Sequence, residues 1–196
     1  MDSARKNKLQ EKLQLLQIKL NAQNRIKQEF IPWLSLCDVL VNNSITYDIQ
    51  FVAVVKEVEK EYWIHAIEHL PELYSITSKH LLIGDSNPVH EQVIQHFPNH
   101  YPLRYVPNIP VVLSCKDDMF KAMQFCKTLL PITDKVLFFH EHFSPVIELK
   151  LDALCTYANE LIQPLDNAFI CSPNFDWLLF KSLEDEWRFG IKSFQR

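Results

Sequence analysis

Glycine is nearly missing from this chain: Gly84 and Gly190 are the two in 196 residues, against roughly 7% in an average protein. Loops that cradle phosphates need several glycines so that backbone N–H groups can approach the ligand. Neither G-x-G-x-x-G nor G-x-x-x-x-G-K-[ST] can be written here, which excludes nucleotide enzymes of those two kinds. A G-x-S-x-G nucleophile elbow is missing as well, so the usual α/β-hydrolase design falls. Long apolar runs are also absent. Segments such as Ile49–Val55 and Ile109–Cys115 are far below the roughly 20 residues that span a bilayer. The polar, Lys- and Gln-rich start has no signal-peptide core, and the chain reads as cytoplasmic. The five cysteines (Cys37, Cys115, Cys126, Cys155, Cys171) form an odd set without C-x-x-C spacing, which favours buried thiols over a disulfide framework or a zinc ribbon.

What is present is core material. Hydrophobic residues make up 47% and aromatics 12% of the chain, enough for one folded domain with an appendage. The net charge of −4 is unevenly divided: residues 1–30 carry seven Lys/Arg against three acids, so an arm of +4 precedes a body of −8. Such a body repels nucleic acid and favours encounter with a basic protein partner.

Residues 1–30 read as an N-terminal amphipathic helix, from about Ser3 to Phe30, and residues 31–196 as a globular α+β domain. Leu9, Leu13, Leu16 and Leu20 recur at spacings of four, three and four, with Ile26 and Phe30 continuing a looser stripe. That stripe needs a cover, either the chain's own body or a second copy in a homodimer. Asn and Gln dominate the polar face, which speaks against a membrane surface.

In the body, Ile45–Val55 reads as a strand and Lys56–Leu70 as a helix. Leu81–Ile83 is a short strand, and Asn87-Pro88 caps a helix whose buried face is Val89, Val93, Ile94 and Phe97. Residues 98–110 form an extended connection in which Tyr101, Tyr105 and Val106 pack down. Ser114 with Asp117 predicts a capping-box-like start, Asp118 beside it, for a helix lined by Met119, Phe120, Met123, Cys126 and Leu130. Strands Val136–Phe139 and Val146–Leu149 follow, then a helix capped by Asp152, a strand Ala168–Cys171, and a closing hairpin in which Trp187–Ile191 forms the antiparallel edge of a mixed, largely antiparallel sheet.

Four constellations bear on chemistry. Ile83-Gly84-Asp85-Ser86 resembles the nucleophile block of the SGNH hydrolases. The chain departs from that family by having no D-x-x-H and no G-x-N-D, leaving Ser86 the ordinary role of a polar turn. His140 and His142 share a strand face at a spacing seen in zinc sites, and His65 and His69 stand i, i+4 on a helix, but no complete ligand set is legible. Cys115 and Cys126 belong to packing, because Asp117 and Asp118 disfavour a thiolate. The acidic sets are Glu57/Glu59/Glu61, Asp117-Asp118, and Glu184-Asp185-Glu186 at the hairpin tip, each a solvated face or a docking surface for a basic partner.

The order of strand, strand, helix, strand and closing hairpin over residues 136–191, with Ser172-Pro173-Asn174-Phe175-Asp176-Trp177 entering the hairpin, resembles small bacterial immunity proteins of polymorphic-toxin systems. Those proteins often carry histidine where this chain has Glu184-Asp185-Glu186. The resemblance implies a non-enzymatic cytoplasmic protein that binds and blocks a cognate toxin; neither a cofactor nor a metal is expected, since no complete ligand set is legible around His140 and His142. The acidic patches of the −8 body make Glu184, Asp185, Glu186, Asp117 and Asp118 the candidate contact residues for a basic partner, with Trp187 the aromatic anchor. A serine hydrolase at Ser86 and a metal enzyme at His140 and His142 are the alternatives.

Overall fold

The computed structural model describes residues 3–69, 76–101, 104–107, 113–116, 118–141, 145–162 and 166–192. Helix α1 runs over Ser3–Asn42, about 60 Å at 1.5 Å per residue, and so continues past the expected end at Phe30 and through Pro32. Proline costs the helix one backbone hydrogen bond. Trp33, Leu36, Cys37 and Leu40, all buried at helical spacing just beyond it, offset that loss by taking apolar surface out of water. The helix closes with Ser44 at φ 53°; Ser44 N–H donates to Val41 C=O and Ile45 N–H to Leu40 C=O, a Schellman-type end built without glycine.

The expected strand over Ile45–Val55 is two strands, β1 (Tyr47–Phe51) and β2 (Ala53–Val55). A 3-10 turn at Glu57–Glu59 leads into helix α2 (Lys60–Glu68). Strand β3 (Leu81–Ile83) pairs in parallel with β2. Helix α3 (Pro88–His96) starts as its sequence predicts, Asn87 Oδ1 accepting from Val89 N (3.0 Å) and His90 N (3.1 Å). Val93 and Phe97 are buried, but Ile94 is 49% exposed and not part of the buried face.

The connection over residues 98–110 contains a hairpin, β4 (Asn99–Tyr101) and β5 (Arg104–Pro107); the side chains of Tyr101, Tyr105 and Val106 lie outside the described ones. Strand β6 (Leu113–Lys116) holds Ser114, which faces Arg188 across a ladder instead of capping a helix. Helix α4 (Met119–Leu129) begins four residues later, its cap supplied by Asp118, whose Oδ1 accepts from Lys121 N at 2.9 Å. Phe120 is 73% exposed and does not widen the core stripe of Met123 and Cys126.

Strands β7 (Lys135–His140) and β8 (Val146–Lys150) follow the predicted pattern. The next helix is split at Tyr157 into α5 (Leu151–Thr156) and α6 (Ala158–Leu161), and Asp152 does not cap it. Leu151 N–H and Asp152 N–H donate instead to the carbonyls of Asp134 and Ile132, so the first turn is satisfied by backbone. Strands β9 (Ala168–Cys171), β10 (Trp177–Lys181) and β11 (Glu186–Ile191) complete the chain's described elements.

Seven strands form one sheet in the order β1-β8-β7-β9-β10-β11-β6, each described pairing antiparallel. The fold is α+β, and its parallel pairing lies apart in β2–β3. Strand β11, expected as an edge, lies between β10 and β6. Both sheet faces are covered. Val136, Phe138, Ile170, Leu179, Trp187 and Phe189 pack with residues of α1, α2, α4, α5 and α6. Leu137, Phe139, Phe169, Cys171 and Phe180 pack with Phe51, Val54, Val93 and Phe97. Double coverage is why β7 and β9 read as continuous apolar runs without alternation.

Arg25 clamps α1 to this body. Its guanidinium donates to the buried Glu59 carboxylate and to Val54 C=O (2.7 Å) and lies 5.4 Å above the Trp63 ring. Arg25→Ala leaves that carboxylate without the clamp and is expected to cost about 2 kcal/mol in urea denaturation. A loss below about 0.5 kcal/mol, the range of an ordinary surface substitution, would show the clamp to be idle.

Candidate functional site

The C-terminal hairpin turns through Ser182-Leu183-Glu184-Asp185. Asp185 N–H donates to Ser182 C=O (3.1 Å) and Ser182 N–H to Glu186 C=O (2.9 Å), with Asp185 at φ 56°. This is a three-residue hairpin loop with a left-handed closing residue, where aspartate replaces the usual glycine at small strain. Ser182 Oγ accepts from Glu184 N (3.2 Å) and Glu186 N (3.1 Å) and holds the loop from inside. Below it lies Lys181, only 1% exposed. Its ammonium donates to Asp166 C=O (3.3 Å) and Ser182 C=O (3.2 Å) and pairs with Asp185 Oδ1 at 2.9 Å, an acceptor for each of three N–H groups.

The acidic tip is therefore not three solvated charges. Asp185 belongs to the Lys181 pair, and Glu186 pairs with Arg188 at 3.3 Å. Glu184 and Leu183 are exposed at the apex. Trp187, expected as the aromatic anchor for a partner, is 1% exposed and part of the helix-covered core. The reason is that β11 is an interior strand, between β10 and β6, and the face that carries Trp187 and Phe189 lies under the helices of the main core.

Glu186 stands in register with Lys116, so the chain leaves β6 beside the hairpin tip and opens α4 at that same end of the sheet. The structure thus brings Asp118 to the end that carries Glu184 and Glu186. Asp118 is committed to the α4 cap and to Lys121 Nζ at 2.7 Å, and these bonds hold its carboxyl below the usual carboxylate range. Asp117 lies outside the described residues.

A buried polar row adjoins the tip and was not legible beforehand. His140 and Lys181 stand in register on either side of Ala168, and Asp166, Asn167 and Ser182 are buried close by in sequence. Asn167 donates its amide to Glu141, and its N–H to Asp166 Oδ1 at 2.8 Å. His140 stacks edge-on to Phe138, ring centroids 5.0 Å apart. Burial, with the Lys181 charge adding to it, pushes its pKa down to about 3. On the opposite face His90 lies 5.1 Å from Phe139 and 5.3 Å from Phe169 between ring centroids. Burial lowers its pKa to about 4 against the opposing pull of Asp166.

The other candidates do not converge on these groups. Ser86 Oγ donates to the Glu91 carboxylate in the first turn of α3. His65 and His69 stack at 4.3 Å, with His69 Nδ1 2.6 Å from the His65 carbonyl. His142 lies outside the described residues, and among the described residues no three His, Cys, Asp or Glu side chains are grouped to hold a metal ion. Burial pushes the Cys37 thiol up to about 12 and raises that of Cys171 further, while Cys126 sits in the core. Glu59, expected on a solvated acidic face, is buried and spent on Arg25. No helix among the described residues is long and apolar enough to cross a membrane. Comparison with protein-family models, with curated proteins and with solved structures gives no match.

Proposed function

We propose that this chain is a non-enzymatic cytoplasmic protein-binding module of the immunity type, which binds a basic toxin domain and blocks it. The observation that carries this reading is the preformed end of the sheet. An exposed apex of Leu183 and Glu184, flanked by Glu186 and the Asp118 start of α4, is held in one conformation by Ser182 and the buried Lys181. A loop ordered before binding loses little conformational entropy on association, which favours affinity. The body's charge of −8 draws a basic partner to it. Leu183, 44% exposed, takes the apolar anchoring role that Trp187 cannot fill.

The test is photo-crosslinking from position 184 of the full chain in its native cell, followed by kinetics with the captured partner. Glu184→Lys/Glu186→Lys is expected to slow association at low salt by about tenfold, within the range of electrostatic steering, and Leu183→Ala to speed dissociation. Turnover of a substrate by the isolated chain, or capture of a partner whose association is indifferent to Glu184→Lys/Glu186→Lys and whose dissociation is indifferent to Leu183→Ala, would sink the reading.

A further inference from the structure

Helix α1 carries two apolar faces that point in nearly opposite directions. At about 100° per residue, Ala22, Trp33, Leu36 and Leu40 lie within about 40° of one line along the helix, and all four are buried. Leu9, Leu13, Leu16 and Leu20 cluster about 150° away from that line, and each is exposed, from 45% at Leu20 to 57% at Leu13. Ile26, half-buried against the core, belongs with the first face and does not continue the leucine stripe. A helix anchored through one face cannot turn the opposite face onto the same body, so the cover for the leucines is another molecule.

We propose that residues 5–21 of α1 pair side by side, in parallel, with the same segment of a second copy. Leu9 and Leu16 take the d positions and Leu13 and Leu20 the a positions of two heptads. The residues before each a position are Arg5, Lys12 and Lys19; those after each d position are Gln10, Gln17 and Asn24. In a parallel pair these flanks face each other with an offset of five. Arg5 of one copy then meets Gln10 of the other, Lys12 meets Gln17, and Lys19 meets Asn24, each a cation beside an amide carbonyl that accepts from it.

An antiparallel pair sets the basic flanks against each other and is disfavoured by like-charge repulsion. An acidic foreign helix would complement one flank, whereas this chain complements both. Lys6 and Lys27 occupy the a positions on either side of the leucines; in register each meets its own copy at an end of the seam, whereas a slip of one heptad sets lysine against leucine and removes a leucine layer, which favours the one register. The bodies lie on the outer sides because the two faces are opposed. The helix is already nucleated by its docked half, which removes the cost that makes two isolated heptads too short to pair.

The experiment is sedimentation of the full chain from about 5 µM to about 500 µM, the range expected for so short a seam, at low and moderate salt. Apparent mass rises from 23.1 kDa towards roughly twice that value, and more readily at higher salt, which screens the two basic arms. Leu13→Glu/Leu20→Glu stays monomeric with an unchanged melting temperature, because both leucines are exposed in the single chain. Leu20→Cys forms a disulfide-linked dimer under mild oxidation that does not link the wild type. A wild-type chain monomeric throughout, with or without flotation on phosphatidylserine vesicles, overturns the proposal. So does a dimer that survives the double substitution, or one in which Leu20→Cys does not cross-link.

Discussion

Lys181→Ala is expected to lower the stability of the chain by about 3 kcal/mol, because two buried carbonyls lose their donor at about 1–3 kcal/mol each, while Asp185, half-exposed, is resolvated and adds little. At a urea slope of about 2–3 kcal/mol/M, that moves the midpoint down by about 1–1.5 M. The loss has two parts: the carbonyls of Asp166 and Ser182 lose the ammonium that bonds them, and the Asp185 carboxylate loses its ion pair. Lys181→Met keeps the volume but not the donors, and costs roughly half as much. The Lys181→Met/Asp185→Asn double variant loses less than the sum of the single losses, because the residues interact directly. A Lys181→Ala chain within about 1 kcal/mol of wild type, the typical cost of an arbitrary substitution, would show that the lysine does not hold the hairpin tip.

Acid destabilises this protein well above the range where carboxylates titrate. His90 and His140 are buried neutral, with folded pKa values lowered to about 4 and about 3 from 6.5. Below pH 6.5 the unfolded chain therefore binds protons that the folded chain refuses. Stability rises with pH across this window: it is fully present above about 6.5 and is lost progressively as pH falls towards 4 and then 3. Well below pH 6.5 each histidine contributes about 1.4 kcal/mol per pH unit, so between pH 7.5 and 5.0 the pair removes on the order of 4 kcal/mol. Urea midpoints at pH 7.5 and 5.0 measure it. His140→Phe is expected to flatten that dependence by about half, since one of two proton-binding groups is gone. Equal midpoints at the two pH values for the wild-type chain would falsify the assignment of both imidazoles as buried and neutral.

The fold class and most element centres were legible because their signals are local. Asn87-Pro88 sets α3 through one side chain and the two amides it accepts, and the apolar runs at Val136, Val146 and Ala168 are strands wherever their partners lie. Where a local signal met a competing contact from far along the chain, the distant contact decided. Ser114 with Asp117 reads as a helix start, but the ladder from β6 to Trp187 and Arg188 claims that segment, and the cap passes to Asp118. Pro32 reads as a stop until Trp33 and Leu36 have a core to enter. At the candidate site the acidic tip was visible as composition, while the roles within it were not, because nothing near Trp187 or Asp185 in sequence reveals β6 or the depth of Lys181.

Sequence by itself determined the α+β class, the near exclusion of glycine-dependent phosphate loops, the +4 arm and −8 body, and the leucine spacing of α1. These follow from composition and from periods of two and 3.6, which a residue carries wherever it is placed. Tertiary structure alone decided that the leucines face away from the body, that Trp187 is core, that Asp185 serves Lys181, and that His90 and His140 are neutral. Exposure, ion pairing and protonation depend on which groups stand across a sheet or under a helix. Those neighbours come from segments far apart along the chain, so no local pattern records them.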